Sequence, residues 1–136
     1  MRQLILTISL LISTLGIAQE PFKGLYTNKE LNLRLQINLY EQNIAQPQFE
    51  DEMCYGILSG ALNGRWIILK IMEKDDDKAV VRAVSDSGVE AQTLEIKIAD
   101  ETLEIRQTGS TNIRGVKNSK YTKLPKNIVF TKVRSN

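Results

Sequence analysis

Leu31-Asn32-Leu33-Arg34-Leu35-Gln36-Ile37-Asn38-Leu39 is apolar at every odd position and polar at every even one. On a pleated strand this period of two sends five aliphatic side chains to one face and four polar ones to the other. Leu94-Glu95-Ile96-Lys97-Ile98 and Leu103-Glu104-Ile105-Arg106 repeat the pattern, and Ile128 to Val133 is a less regular β-rich run. No stretch between Gln19 and the C-terminus sustains a helical period. Leu33, Leu35, Ile37, Ile96, Ile98, Leu103 and Ile105 are therefore expected inside, with Arg34, Gln36, Lys97 and Glu104 outside.

Turn residues separate these runs. Asn63-Gly64, between Ile57–Leu62 and Trp66–Ile71, predicts a type I′ hairpin, because Asn and Gly best tolerate its two positive φ angles. Lys74 to Lys78, holding Asp75-Asp76-Asp77, leads into Ala79–Val84, while Asp86-Ser87-Gly88 and Ala99-Asp100-Glu101 supply two further tight connections. Two longer loops are expected, Tyr40 to Met53 and Gly109 to Ser119. Pro125 falls between late strands and interrupts neither. The fold class is all-β. About eight strands joined by hairpins make a single antiparallel up-and-down barrel, whose closure removes exposed edges. The alternative is a two-sheet β-sandwich.

The N-terminus reads as an export signal. Arg2 precedes the uncharged run Leu4–Ile17, and Gly16-Ile17-Ala18 offers small residues at a cleavage point. That run has 14 residues, short of the ~20 needed to span a bilayer. Residues 1–18 are thus a signal peptide and 19–136 one β-barrel domain, periplasmic or secreted, soluble, with no membrane anchor after cleavage. Removing Arg2 with the leader leaves 17 basic residues against 16 acidic. That near-balance argues against nucleic acid as a partner.

Phe22-Lys23-Gly24-Leu25-Tyr26-Thr27-Asn28, running into an alternating strand, resembles the opening of the calycin superfamily: the lipocalin, fatty-acid-binding and avidin-like barrels. The resemblance implies that Gly24-x-Tyr26 begins the first strand and closes one barrel end. It also places Tyr40–Met53 where lipocalins carry a lid. Two departures stand beside it. Tyr26 occupies a position where lipocalins usually have Trp, and the lone Trp66 cannot supply the several tryptophans of an avidin-type biotin site. The resemblance carries a fold and no binding residue.

Catalytic chemistry finds little support. There is no histidine, which removes Ser-His and Cys-His pairs and the commonest zinc ligand. Cys54, the single cysteine, is expected to be packed and inert. Ser59 lacks the spacing and the strand-to-helix turn of a nucleophile elbow, so Gly56, Ser59 and Gly60 read as small residues at a barrel bend. Glu95, Glu104 and Asp86 read as solvated acids rather than a glycosidase pair. Asp75–Asp77 and Glu50–Glu52 read as wet turns rather than calcium ligands. No catalytic residue, metal site or cofactor is assigned.

Two features point to binding. Arg106 to Asn136 holds eight basic residues and no acid, whereas Gln19 to Ile105 carries nine basic and sixteen acidic residues. Either the late cations neutralise acids on neighbouring strands, or they form a docking rim with Arg114, Lys117, Lys120 and Tyr121 as its candidate contacts. The second feature is Trp66–Met72, apolar on both faces apart from Lys70. Ile67, Leu69 and Ile71 on its outer face need cover from the long loop, a partner or a second copy, which makes a homodimer through this strand a possibility. The expected function is non-enzymatic: docking of another protein, in the manner of an inhibitor or immunity protein, through residues 109–121. The alternative is a carrier of a small apolar ligand inside the barrel, and a hydrolase using surface carboxylates comes third.

Overall fold

A computed structural model describes residues 20–47 and 51–134. The expected signal peptide, its expected cleavage point and Glu50 lie outside the described residues. The strands are β1 (Lys23–Asn28), β2 (Leu33–Asn38), β3 (Ile44–Ala45), β4 (Met53–Cys54), β5 (Gly56–Gly60), β6 (Trp66–Lys74), β7 (Lys78–Ser85), β8 (Ala91–Ala99), β9 (Thr102–Thr108), β10 (Arg114–Lys117), β11 (Lys120–Lys123) and β12 (Asn127–Lys132). Eight of them close an antiparallel barrel in the order β1-β12-β9-β8-β7-β6-β5-β2. Each barrel strand pairs with the next one in the chain, and the last pairs with the first, which is the up-and-down arrangement. The sandwich alternative is excluded. Two hairpins are inserted into this meander, β3–β4 between β2 and β5, and β10–β11 between β9 and β12.

The period-two runs supply the interior. Leu33, Leu35, Ile37, Ile96, Leu103 and Ile105 are all buried in one core with Phe22, Tyr26 and Phe130, and Ile98 packs against it half-buried. Arg34, Gln36 and Lys97 point to solvent. Asn38 departs from the pattern and is buried. Its Oδ1 accepts from the N–H groups of Tyr40 and Glu41, and its Nδ2 donates to Asn43. It organises the turn out of β2, satisfying backbone donors that would otherwise be orphaned.

Tyr26 shows how one end is closed. Its ring is fully buried and its hydroxyl donates to the Pro21 carbonyl. Phe22 lies beside it, donating its N–H to the Tyr40 hydroxyl at 3.2 Å. Burial, and secondarily the nearby Tyr40, push the Tyr26 phenol above its ordinary value of 10.0. A phenol harder to ionise in the folded than in the unfolded state contributes stability that is complete below pH ~10 and lost as pH rises through the raised folded value. Urea unfolding of Tyr26→Phe should therefore show a flatter alkaline limb than the wild type. At neutral pH the variant should lose about 1 kcal/mol with the hydrogen bond. Identical alkaline limbs would show that the phenol does not ionise into the core.

The structure corrects three local expectations. Asn63-Gly64 does not form a type I′ turn: only Gly64 has positive φ, and the last barrel pair is Leu58↔Trp66. Ala61 to Asn63 instead leave β5 to meet β10, through Asn63 N–H to Arg114 O and Val116 N–H to Ala61 O, both 2.9 Å. Among its described residues the Tyr40–Met53 loop forms no lid over the barrel mouth. Its β3–β4 hairpin lies on the outer wall, where Ile44 and Cys54 bury Ile67 against Ile57 and Val84.

The third correction concerns Trp66–Met72. Register shifts between Ile68 and Lys70 and between Ile71 and Glu73 insert Leu69 and Met72 as extra residues. Each bulge reverses the alternation downstream of it. Ile71, expected outside, therefore faces the interior opposite Val81, and Met72, expected beside Trp66, is exposed. Of Ile67, Leu69 and Ile71, the chain covers the first with its own hairpin and the third with its own core. Leu69 stays exposed.

Candidate interaction surface

The barrel ends differ in charge. The β1–β2, β5–β6 and β7–β8 connections and the β10–β11 hairpin lie at one end. The acidic Asp75-Asp76-Asp77 and Asp100-Glu101 turns lie at the other. The near-neutral total thus conceals a local gathering of charge, with the hairpin cations Arg114, Lys117, Lys120 and Lys123 at one pole, while Arg134 lies beside Glu101 at the other.

The first strand and the turn of the β10–β11 hairpin are built from residues expected to be loop. Asn118 and Ser119 have φ of 53° and 65°, the two positive values of a type I′ turn, and Lys117 faces Lys120 across it. Two glutamines anchor its approach. Gln92 and Gln107 are buried, and their Oε1 atoms accept from the backbone N–H of Asn112 at 2.8 Å and Ile113 at 3.3 Å. The Nε2 of Gln107 has no acceptor among the described residues. Ile113 and Leu124 flank the hairpin and are buried with Leu62 in the main core. Gly115 lets the hairpin sit close: an added Cβ would lie 2.9 Å from both Leu124 Cδ2 and Thr122 Oγ1.

Register then fixes the faces. Arg114↔Lys123 and Val116↔Tyr121 share one face, and Gly115↔Thr122 share the other, toward the barrel. Tyr121 is 69 % exposed, with Lys123 on its own strand and Arg114 diagonally across. Lys117 and Lys120 stand at the tip. Sequence reading missed Lys123 because its face depends on pairing within the hairpin. The alternation on either side of Asn118-Ser119 was the available signal. Arg114 donates to the Thr111 carbonyl at 2.6 Å. Among the described residues no carboxylate lies within 4.0 Å of Arg114, Lys117, Lys120 or Lys123, since the ion pairs are Lys23–Glu20, Arg65–Asp86, Arg106–Glu95 and Arg134–Glu101. The late cations therefore divide. Arg106 and Arg134 neutralise neighbouring acids, and the hairpin cations do not.

Among the described residues no other groups of metal-ligating or nucleophilic side chains assemble into a site. The Cys54 thiol is fully buried, touches the Gly56 carbonyl at 3.5 Å and is pushed up by burial, away from the reactive thiolate. A depression of about 510 Å³ on the outer wall is lined by Glu73, Asp75, Lys78, Glu95, Lys97 and Glu104, with Arg106 and others. Glu95 there faces Arg106 and Glu104 faces Lys97 across the strands, a ladder of opposite charges on a wet surface.

The class defined is a closed eight-stranded antiparallel barrel compatible with the calycin architecture, carrying a basic hairpin at one end. No family model, characterised protein or solved structure matches the chain.

Proposed function

We infer that this chain is an exported, non-enzymatic binding protein that docks an acidic partner protein through the basic β10–β11 end. The observation that carries this reading is the set Arg114, Lys117, Lys120 and Lys123. All four are exposed, on one hairpin, and without a carboxylate among the described residues, beside an exposed Tyr121. Exposed like charges repel one another, and nothing in the barrel requires their grouping. Aromatic and arginine side chains together are the composition of binding hot spots. Docking is favoured over carriage because Phe22, Tyr26, Phe130 and the aliphatics of the alternating strands pack together in the interior. Docking is favoured over hydrolysis because the chain lacks histidine and its one thiol is buried.

Poly-L-glutamate serves as a generic acidic probe. Titrated into isotope-labelled protein, it should shift the amide resonances of residues 114–123 first, with affinity falling as salt is raised. Shifts scattered over the barrel, or concentrated on the 66–72 strand, would contradict the reading.

A further inference from the structure

The β10–β11 sheet has one finished edge and one open edge. The Val116 N–H is spent on Ala61 O and the Arg114 carbonyl on Asn63 N–H, so both groups point away from β11. In an antiparallel ladder, the residues directly opposite such groups also turn their N–H and C=O outward. Those residues are Tyr121 and Lys123. On that outer side β11 has no strand neighbour, and no backbone hydrogen bond reaches Tyr121 or Lys123 among the described residues. The barrel strands each pair on both sides over at least part of their length, whereas the outer side of β11 lies open where the unpaired cations gather.

Resting on the docking reading, we propose that β11 is a strand-addition site, at which an extended acidic segment of a partner protein joins the β10–β11 sheet as a third strand. The main-chain groups of Tyr121 and Lys123 supply the pairing. Side chains set the preference: an acid opposite Lys120, a β-branched or aromatic residue opposite Tyr121, and an acid opposite Lys123. Read antiparallel, this is acid, any residue, β-branched residue, acid. A second copy is a poor occupant, because β11 against β11 brings Lys120 and Lys123 of two chains together, and lysine on an edge opposes self-pairing. Pro125 follows at once and limits the edge to this short segment.

The probe is a peptide containing Glu-Thr-Val-Glu, blocked at both ends and compared with the same peptide N-methylated at every residue. N-methylation keeps the charges and removes the donors. The unmodified peptide should move the Tyr121 and Lys123 amide protons downfield and slow their exchange with solvent. The methylated peptide should bind about tenfold more weakly or worse. Equal binding of the two peptides, shifts without protection at Tyr121 and Lys123, no binding of the unmodified peptide, or dimerisation of the protein through β11 would each overturn strand addition. Poly-L-glutamate still shifting residues 114–123 would then leave docking standing, whereas its failure to do so removes both.

Discussion

Replacing Gly60 with alanine is expected to destabilise the barrel by about 3–5 kcal/mol, combining backbone strain with a clash against rigid main chain. Gly60 has φ of 116°, in the region where side chains are rarely accommodated. An added Cβ would overlap the Asn32 carbonyl oxygen and lie 3.0 Å from Leu33 Cα. Both neighbours are backbone, and that carbonyl accepts from Ala61 N–H at 2.9 Å, the bond that starts the chain toward β10. Gly109→Ala is the control. Its φ is 75°, but nothing lies within 4 Å of the new Cβ, so only conformational strain of about 1 kcal/mol should appear. Urea unfolding of the two variants separates clash from strain. Equal, small losses would mean that β5 does not bend over Asn32 as described.

Leu35→Ala should cost ~2–5 kcal/mol, a large part of the 5–15 kcal/mol that holds a typical domain folded. Leu35 is fully buried, and β2 places it between Tyr26 of β1 and Leu58 of β5. Truncation there opens a hole bordered by paired strands that cannot collapse into it. The urea midpoint should fall with little change in slope. A loss under about 1 kcal/mol would show that the Leu31–Leu39 alternation does not set the inward face.

That alternation made most of the barrel legible. A strand with one apolar face has a single way to lie on a core, and Leu33, Leu35 and Ile37 lie that way. Trp66–Met72 resisted the same reading because a bulge is a relation between two strands. Leu69 and Met72 become extra residues only against the register of β7. Asn63-Gly64 carried a strong turn signal that tertiary pairing overrode, since Ala61–Asn63 find partners on β10. Asn118-Ser119, a weaker signal, makes the tight turn. The basic cluster was visible as composition. Its separation into paired Arg106 and Arg134 and unpaired hairpin cations required distances. The burial of Ile67 by Ile44 and Cys54 required the path of a loop whose short strands have no periodicity to read.

The central claim is that the hairpin cations act on a partner and not on the fold. Replacing Arg114, Lys117 and Lys120 together with glutamine tests it most directly, by recording the melting temperature and the association rate with poly-L-glutamate on one sample. Exposed cations without carboxylate partners contribute little to stability, so melting should stay nearly unchanged. Association should slow by about tenfold at low ionic strength and converge on the wild-type rate as salt shortens the Debye length below ~10 Å. A lowered melting temperature with an unchanged association rate would contradict the account, because it would make the same three side chains part of the barrel's own stability.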